Sequence, residues 1–185
     1  RKLADTGRPS SIVVVGEIKR GKSLLVSALI GRDGAALDDV EHSTAVATRF
    51  VAATDDFSEG TAELVFPDGR RRIDRTELGE WITTGGRYVN DPTVEALPVA
   101  AIVPIASEQL TTATVVDTPG IGGLDPRHAA MAARSADRAA VLVLVCDAST
   151  PLTEPEMRFL RESAAGVENV LVVVTKTDKN LTRWQ

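Results

Sequence analysis

The sequence predicts an α/β fold of three layers, in which a doubly wound and mostly parallel sheet lies between helices. Short apolar runs rich in β-branched residues recur along the chain, as in SIVVVG at 11–16, AVLVLVCD at 140–147 and VLVVVT at 170–175. Such runs are typical of parallel strands that are buried on both faces. Segments with helical spacing alternate with them, which is the pattern of a doubly wound sheet. In such sheets, ligands bind at the carboxyl ends of the strands.

The elements can be assigned in chain order. The first run is followed by a helix over Gly21–Ile30, with Leu25, Ala28 and Leu29 on one side and a stop at Gly31. Alternation on either side of the turn at 67–69 predicts a hairpin over 61–73. The other predicted elements are strands at 44–53, 99–105 and 112–117, helices at 74–82, 125–137 and 153–165, and loops at 33–43 and 85–92. We expect strand 140–147 to be central and strand 170–175 to be buried.

The length and ends of the chain suggest one domain. The 185 residues are enough for one hydrophobic core. We assign residues 1–10 to a lead-in and 11–185 to the domain. No closing strand or helix stop precedes Gln185, so we expect the domain to lack its last strand and helix here.

Composition and charge exclude several classes of protein. A hydrophobic fraction of 43% and a charged fraction of 25% are those of a globular protein. The net charge of −5 gives no general attraction for nucleic acid, which we therefore do not expect as a partner. No apolar run approaches the ~18 residues of a membrane-spanning helix. Cys146 is the single cysteine, which suits a reducing compartment, and we expect it to be a small buried hydrophobe.

A phosphate-binding loop follows the first strand. Gly16, Gly21, Lys22 and Ser23 have the spacing GxxxxGKS, and a helix begins at the end of the motif. The backbone N–H groups of such a loop surround phosphate oxygens, and the helix directs its positive end at the anion. Lys22 is expected to reach the β- and γ-phosphates, and Ser23 to bind Mg²⁺. The residues expected to contact nucleotide are Gly16, Glu17, Ile18, Lys19, Arg20, Gly21, Lys22, Ser23 and Leu24.

The tetrapeptide DTPG, residues 117–120, ends the strand predicted at 112–117. The Asp117 carboxylate can take part in the coordination shell of Mg²⁺, commonly through water. The N–H of Gly120 can meet the γ-phosphate, whose loss on hydrolysis would release the loop. On its own DTPG is an ordinary turn sequence, but its position at a strand end after a phosphate loop indicates a nucleotide site.

The tetrapeptide TKTD, residues 175–178, ends the strand predicted at 170–175. The Asp178 carboxylate can accept hydrogen bonds from both the ring N–H and the exocyclic amino group of guanine. Adenine lacks this pair of donors, so Asp178 selects guanine. The aliphatic stem of Lys176 can lie along the base, and we include Thr175 among the expected base contacts.

Taken in order, the three motifs resemble those of P-loop GTPases over nearly the whole chain. More narrowly, the chain is similar to the dynamin superfamily, above all to bacterial and actinobacterial dynamin-like proteins. The segments that carry this resemblance are STAVATRF at 43–50, VPI at 103–105, TVVDTPG at 114–120 and TKTDKNLTRW at 175–184.

The resemblance implies a GTP-hydrolysing enzyme that uses GTP, GDP and Mg²⁺. It implies that Thr44 is the switch threonine, which contacts Mg²⁺ and the attacking water, with Ser43 and Thr48 as alternatives. The implied metal residues are then Ser23, Thr44 and Asp117, and the implied catalytic residues are Lys19, Lys22, Ser23 and Thr44.

Two residues depart from the pattern of many GTPases. Thr175 stands where an asparagine is common, so we expect one weaker hydrogen bond there. Ile121 follows DTPG where Ras-like enzymes have a glutamine that orients water, so another group must support hydrolysis.

Lys19 and Arg20 add positive charge to the phosphate loop. Lys19 occupies the position where dynamin relatives have a serine that helps to hold a monovalent cation, and where guanylate-binding relatives have an arginine finger. A cation there can stabilise the charge that develops on the transferred phosphate. We therefore interpret Lys19 as an internal finger, ordered when two GTPase domains face each other, and Arg20 as a solvated surface residue.

Beyond hydrolysis, the resemblance implies self-assembly and membrane remodelling. The implied partners are a second GTPase domain or a paralogue, and a membrane contacted by regions outside residues 1–185. The implied location is the cytoplasm, at the inner face of the cell membrane. The alternatives are a regulatory GTP switch in ribosome or RNA maturation, and a scaffold that binds nucleotide without hydrolysing it.

Overall fold

The computed structural model of the chain describes residues 10–36, 44–120, 135, 139–150, 152–164, 167 and 169–180. Ser43, Ile121, the loop at 37–43 and nearly all of the helix predicted at 125–137 lie outside these residues. The strands are β1 Ser10–Val15, β2 Ala47–Ala52, β3 Thr61–Phe66, β4 Gly69–Asp74, β5 Ala100–Ile105, β6 Ala113–Asp117, β7 Val141–Asp147 and β8 Val170–Thr175. The helices are α1 Lys22–Ile30, α2 Leu78–Ile82 and α3 Glu154–Ala164, and short 3-10 turns occupy Arg75–Glu77, Gln109–Thr111 and Thr177–Asn180.

The eight strands of the described residues form one sheet in the order β4-β3-β5-β2-β6-β1-β7-β8. The half made of β6, β1, β7 and β8 is parallel throughout. The other half is mixed, since β2 runs parallel to β5 and antiparallel to β6, and β3 is antiparallel to both of its neighbours. The expected doubly wound, mostly parallel fold is confirmed, with the predicted hairpin as the antiparallel edge.

The core lies on both faces of the sheet, as expected for a three-layer fold. Successive side chains of β1 lie on opposite faces of the sheet. Val14 packs into one apolar cluster, while Val13 and Val15 pack into the other. The Val14 cluster includes Val26 of α1, and the other includes Phe159 of α3. Burial on both faces is why these strands are continuously apolar.

Helix α1 begins and ends as predicted but buries a different face. Gly31 ends it in the left-handed conformation, and the N–H groups of Gly31 and Arg32 return to the last carbonyls of the helix. The buried side chains are Lys22, Val26, Ser27 and Ile30. Ala28 is exposed, although we expected it to share the buried face with Leu25 and Leu29.

Three other expectations need correction. Strand β7 is not central, since it lies between β1 and the edge strand β8. Strand β8 is not fully buried, because Leu171, Val172 and Val174 are exposed. An apolar run indicates a strand but does not say whether both of its sides are covered. The helix predicted at 74–82 is divided into a 3-10 turn and α2, and the Asp74 carboxylate caps the turn at the N–H of Thr76.

Among the described residues, no helix has the length and hydrophobicity needed to cross a membrane.

Candidate functional site

All three sequence motifs meet at one edge of the sheet. In the parallel half, Val14 of β1 pairs with Asp117 of β6, and Asp147 of β7 pairs with Thr175 of β8. The carboxyl ends of these strands therefore lie side by side. The phosphate loop, DTPG and TKTD all follow strand ends at this edge, as the sequence predicted.

The phosphate loop leaves β1 through a backbone conformation that only glycine adopts readily. Gly16 has φ +152°, and a Cβ at this position would lie 2.3 Å from the carbonyl oxygen of Val145 in β7. Lys19, further along the loop, has φ 63°. Its side chain is exposed. Strained backbone of this kind is concentrated at ligand sites.

Lys22 is folded back onto the loop. Its Nζ donates a hydrogen bond to the carbonyl oxygen of Glu17 at 2.8 Å, and the residue is 8% exposed. Burial lowers the pKa of Lys22, although the carboxylates of Asp117, Glu156 and Glu17 act in the opposite direction. The ammonium is therefore held against the backbone of its own loop, and the expectation that Lys22 reaches phosphate remains a prediction.

Ser23 and Asp117 come together at the start of α1. The Ser23 hydroxyl donates to Asp117 Oδ2 at 2.8 Å, and Asp117 is buried. A hydroxyl and a carboxylate are the hard oxygen donors that Mg²⁺ prefers. Two of the three residues expected to bind the metal are thus adjacent, and their donor set suits Mg²⁺.

The DTPG segment is held against both β1 and the phosphate loop. The Thr118 hydroxyl donates to the carbonyl oxygen of Val14 at 2.8 Å. A Cβ on Gly120 would lie 2.4 Å from Ile18 Cγ1 and 2.7 Å from the Ile18 nitrogen. The segment therefore needs glycine at this position to lie so close to the loop.

Thr44 and its alternative Thr48 both lie near Asp117. Thr44 forms an isolated β-bridge with Thr83, just before β2, and Thr48 pairs with Asp117 across the β2–β6 ladder. Both threonines line a small cavity together with Ala35, Phe50, Leu78, Ile82 and Asp117. This arrangement is compatible with a role for either threonine, so the expectation for Thr44 remains a prediction.

The TKTD segment is tied to the phosphate loop through hydrogen bonds. The Thr175 hydroxyl lies 2.6 Å from the carbonyl oxygen of Arg20, and Lys176 Nζ donates to the carbonyl oxygen of Lys19 at 2.6 Å. Lys176 is itself in a left-handed conformation with φ 55°. Thr175 thus links TKTD to the phosphate loop from the position where many GTPases have an asparagine. The Asp178 side chain is exposed.

Arg20 is a buried residue, so the expectation of a solvated surface side chain is wrong. It is 4% exposed, and each of its three guanidinium nitrogens faces a different carboxylate. Nη2 lies 2.9 Å from Glu17, Nη1 lies 3.2 Å from Asp147, and Nε lies 3.6 Å from Glu156. Burial alone would lower the pKa of Arg20, but these carboxylates raise it above its usual range.

The carboxylates around Arg20 were not predicted from the sequence. Asp147 also accepts hydrogen bonds from Ser149 and Lys176, and despite the opposing effect of burial these hold the pKa of its carboxyl well below the usual range. Glu156 is fully buried and accepts from the Thr153 N–H at 2.9 Å. The contact between Thr153 and Glu156 has a sequence signal, because TEPE at 153–156 has the spacing of a helix capping box.

Comparison with solved structures supports the fold. The chain superposes on a chain of an oligomerised bacterial dynamin pair, described as a mechanism for the long-range sensing and tethering of membranes, with a TM-score of 0.65 and 17% identity. The match covers 94% of this chain and 26% of that one. At this identity the likeness concerns the fold.

Comparison with curated sequences finds longer proteins. The isoniazid-induced protein IniA of Mycobacterium tuberculosis is 30% identical over 179 residues, which cover 94% of this chain and 27% of IniA. An uncharacterized protein in the xynA 3' region of Caldicellulosiruptor sp. (strain Rt8B.4) is 27% identical over 168 residues, covering 90% of this chain and 40% of that protein. This chain therefore spans less than half the length of either relative.

The sequence pattern that defines the Dynamin family, Dynamin_N, matches residues 12–177. That range contains the phosphate loop, DTPG and most of TKTD, since it begins in β1 and ends just after β8. The chain belongs to the dynamin family and has its GTPase fold.

Proposed function

We propose that this domain binds GTP with Mg²⁺ and hydrolyses it to GDP and phosphate. We further propose that, in a longer protein, hydrolysis is coupled to self-assembly and membrane remodelling. The domain would then work in the cytoplasm, at the inner face of the cell membrane. The observation that carries the proposal is the direct contact between the phosphate loop and TKTD through Thr175 and Lys176.

That contact supports a guanine nucleotide in particular. Lys176 bonds to the loop backbone at Lys19, so the segment that ends in Asp178 is held at a fixed distance from the loop that would hold the phosphates. A nucleotide bound there would extend from Lys22 at its phosphates to Asp178 at its base. The Asp178 carboxylate accepts two hydrogen bonds from guanine and finds no such pair on adenine.

The chain's own residues would divide the chemical work. Lys22 neutralises the phosphates, and the loop N–H groups hold their oxygens in place. Ser23 and Asp117 would hold Mg²⁺, which would supply positive charge to the phosphates. The Thr44 carbonyl would orient the attacking water. The Gly120 N–H would contact the γ-phosphate and lose that contact when the γ-phosphate leaves.

Asp178→Asn is expected to shift the preference of the domain from guanosine to xanthosine diphosphate. An amide accepts hydrogen bonds only through its oxygen, so one of the two guanine contacts is lost, while its NH₂ can donate to the additional carbonyl of xanthine. We expect GDP affinity to fall by about 100-fold, since one charge-assisted hydrogen bond is lost and the other is made to a neutral amide. Competition of GDP and XDP against a fluorescent nucleotide measures the shift.

The matched control for this variant is Asp68→Asn. Asp68 is exposed in the turn between β3 and β4, on the edge of the sheet far from β8. This variant should bind both nucleotides as the wild type does. An Asp178→Asn protein with an unchanged ratio of GDP to XDP affinity would show that Asp178 does not read the base.

Lys19→Ala is expected to lower GTP turnover by about 10-fold or more while leaving GTP affinity within about threefold. The exposed ammonium projects from a loop residue whose backbone is already fixed by Lys176. An arginine finger contributes ~10³–10⁵ in rate, and lysine, which lacks the fork geometry, should contribute less. Alanine keeps the Cβ and therefore changes the backbone less than glycine would.

Protein concentration and membranes provide the readout for this variant. The experiment uses the full-length protein, because the membrane-contacting regions are expected outside residues 1–185. If Lys19 is ordered by a facing domain, wild-type turnover per molecule rises with protein concentration and with liposomes, and the Lys19→Ala rate stays low throughout. Separate measurements of binding and turnover isolate the chemical step. Unchanged turnover in Lys19→Ala, or wild-type activity that still depends on K⁺ or Na⁺, would contradict the finger. A wild-type rate independent of concentration and liposomes would contradict the coupling to assembly.

A further inference from the structure

The guanidinium of Arg20 is the centre of a buried ion cluster that the proposed hydrolysis does not use. Its three nitrogens face Glu17 in the phosphate loop, Asp147 at the end of β7 and Glu156 in the first turn of α3. The Arg20, Asp147 and Glu156 side chains are 5%, 6% and 0% exposed. Charges that are so well shielded from water interact strongly, and loss of one partner would leave a buried charge unpaired.

The cluster continues to the base-recognition segment. Asp147 Oδ2 lies 3.2 Å from Arg20 Nη1 and 3.0 Å from Lys176 Nζ, so one carboxylate oxygen bridges the loop cation and the TKTD cation. The Arg20 carbonyl oxygen in turn lies 2.6 Å from the Thr175 hydroxyl. Backbone and side chain of Arg20 thus both connect the loop to this segment.

The same cluster reaches the start of α3. Within the part of the chain that the structure describes, Glu156 Oε1 makes no hydrogen bond, and its ion-pair partner is Arg20 Nε at 3.6 Å. The other oxygen, Oε2, closes the capping box with Thr153, whose hydroxyl also donates to Glu17 at 2.6 Å. The phosphate loop and the first turn of α3 therefore share a closed set of polar contacts.

We propose that Arg20 is a positioning residue for guanine recognition, which ties the phosphate loop to the TKTD segment through Asp147 and to α3 through Glu156. This proposal rests on the proposed function. A planar guanidinium can direct three nitrogens at three separate carboxylates, whereas an ammonium is a single charged point. Through its guanidinium, Arg20 thus fixes the distance between the two ends of the nucleotide site.

Two variants of the full-length protein test this role. Arg20→Lys keeps the buried positive charge and so is expected to fold. It loses the planar group whose three nitrogens face three separate carboxylates. Arg20→Met/Glu156→Gln removes both charges of one pair, so that no unpaired charge remains at Glu156. Arg161→Met is the control, because Arg161 is 68% exposed on α3 and pairs with Glu154 at 4.0 Å.

The readout is guanine discrimination, measured as the ratio of the Kd for IDP to the Kd for GDP by displacement of a fluorescent GDP. IDP lacks the exocyclic amino group, so this ratio reports the contact made by Asp178 and changes little if the fold alone is weakened. We expect both Arg20 variants to bind GDP about 10-fold more weakly and to lower the ratio by about fivefold. Arg161→Met should match the wild type.

The outcomes separate this inference from the proposed function. If wild-type protein binds no fluorescent GDP, the proposed function is wrong and the inference is wrong with it. If wild-type protein discriminates GDP from IDP and both Arg20 variants keep its ratio within twofold, Arg20 is structural and the positioning role is overturned. Thermal melting followed by circular dichroism shows whether each variant is folded at the temperature at which its Kd ratio is measured.

Discussion

Lys22→Met is expected to weaken binding of GTP and GDP by about 100-fold or more. Lys22 is buried against its own loop, and its Nζ donates to the Glu17 carbonyl at 2.8 Å. Bound nucleotide would replace that neutral carbonyl with phosphate oxygens, and charge-assisted hydrogen bonds contribute about 1.5–3 kcal/mol each. Methionine has a similar unbranched length, so it fills the same space without the charge. Titration with a fluorescent nucleotide measures the loss.

Arg32→Met is the matched control for this variant. Arg32 lies two residues beyond Ile30, the last residue of α1, whereas Lys22 is its first residue, so a helix about 12 Å long separates the two. Both variants lose one positive charge and gain the same side chain. Equal nucleotide affinity for the two variants, each folded by circular dichroism, would show that GxxxxGKS does not hold phosphate in this protein.

The sequence predicted where the three motifs lie, because each motif is recognised from a short local pattern. The phosphate loop, DTPG and TKTD are each short, and each follows a strand whose apolar run is easy to identify. Parallel strands then bring their carboxyl ends to one edge, so the approximate meeting of Ser23, Asp117 and Thr175 follows from the fold class. Their contacts in the structure agree with that expectation.

The sequence did not predict the surroundings of Arg20, for a physical reason. An isolated charge is expected to lie in water because burial without a partner is costly. The partners of Arg20 come from the loop itself, from β7 and from α3, and Glu156 is 136 positions away along the chain. Such a cluster is visible only once the three-dimensional arrangement is known.

The positions of β7 and β8 were misjudged for a related reason. Both runs are apolar throughout, which distinguishes strands from loops but does not give their order in the sheet. Order depends on the crossovers between strands, and among the described strands β8 lies at the edge of the sheet with Leu171 and Val172 exposed. Hydrophobicity alone would have placed both strands inside.

Gly16→Ala is expected to destabilise the domain by about 3 kcal/mol or more. A methyl group at this position would lie 2.3 Å from the Val145 carbonyl oxygen, which is part of the β7 backbone and cannot rotate away as a side chain could. The φ of +152° adds backbone strain for any residue with a Cβ. Strain and overpacking each cost about 1–3 kcal/mol. Thermal melting should show a decrease of roughly 6–12 °C.

Gly60→Ala separates this close contact from the general effect of replacing glycine. A Cβ on Gly60 would meet nothing within 4 Å, so that variant should melt within about 2 °C of the wild type. Equal melting temperatures for the two variants would mean that β1 and β7 can move apart at no cost. Because β7 also carries Asp147, a displacement of β7 from β1 should pull Asp147 away from Arg20 in the phosphate loop. We therefore expect Gly16→Ala to lose nucleotide binding even at temperatures where it remains folded.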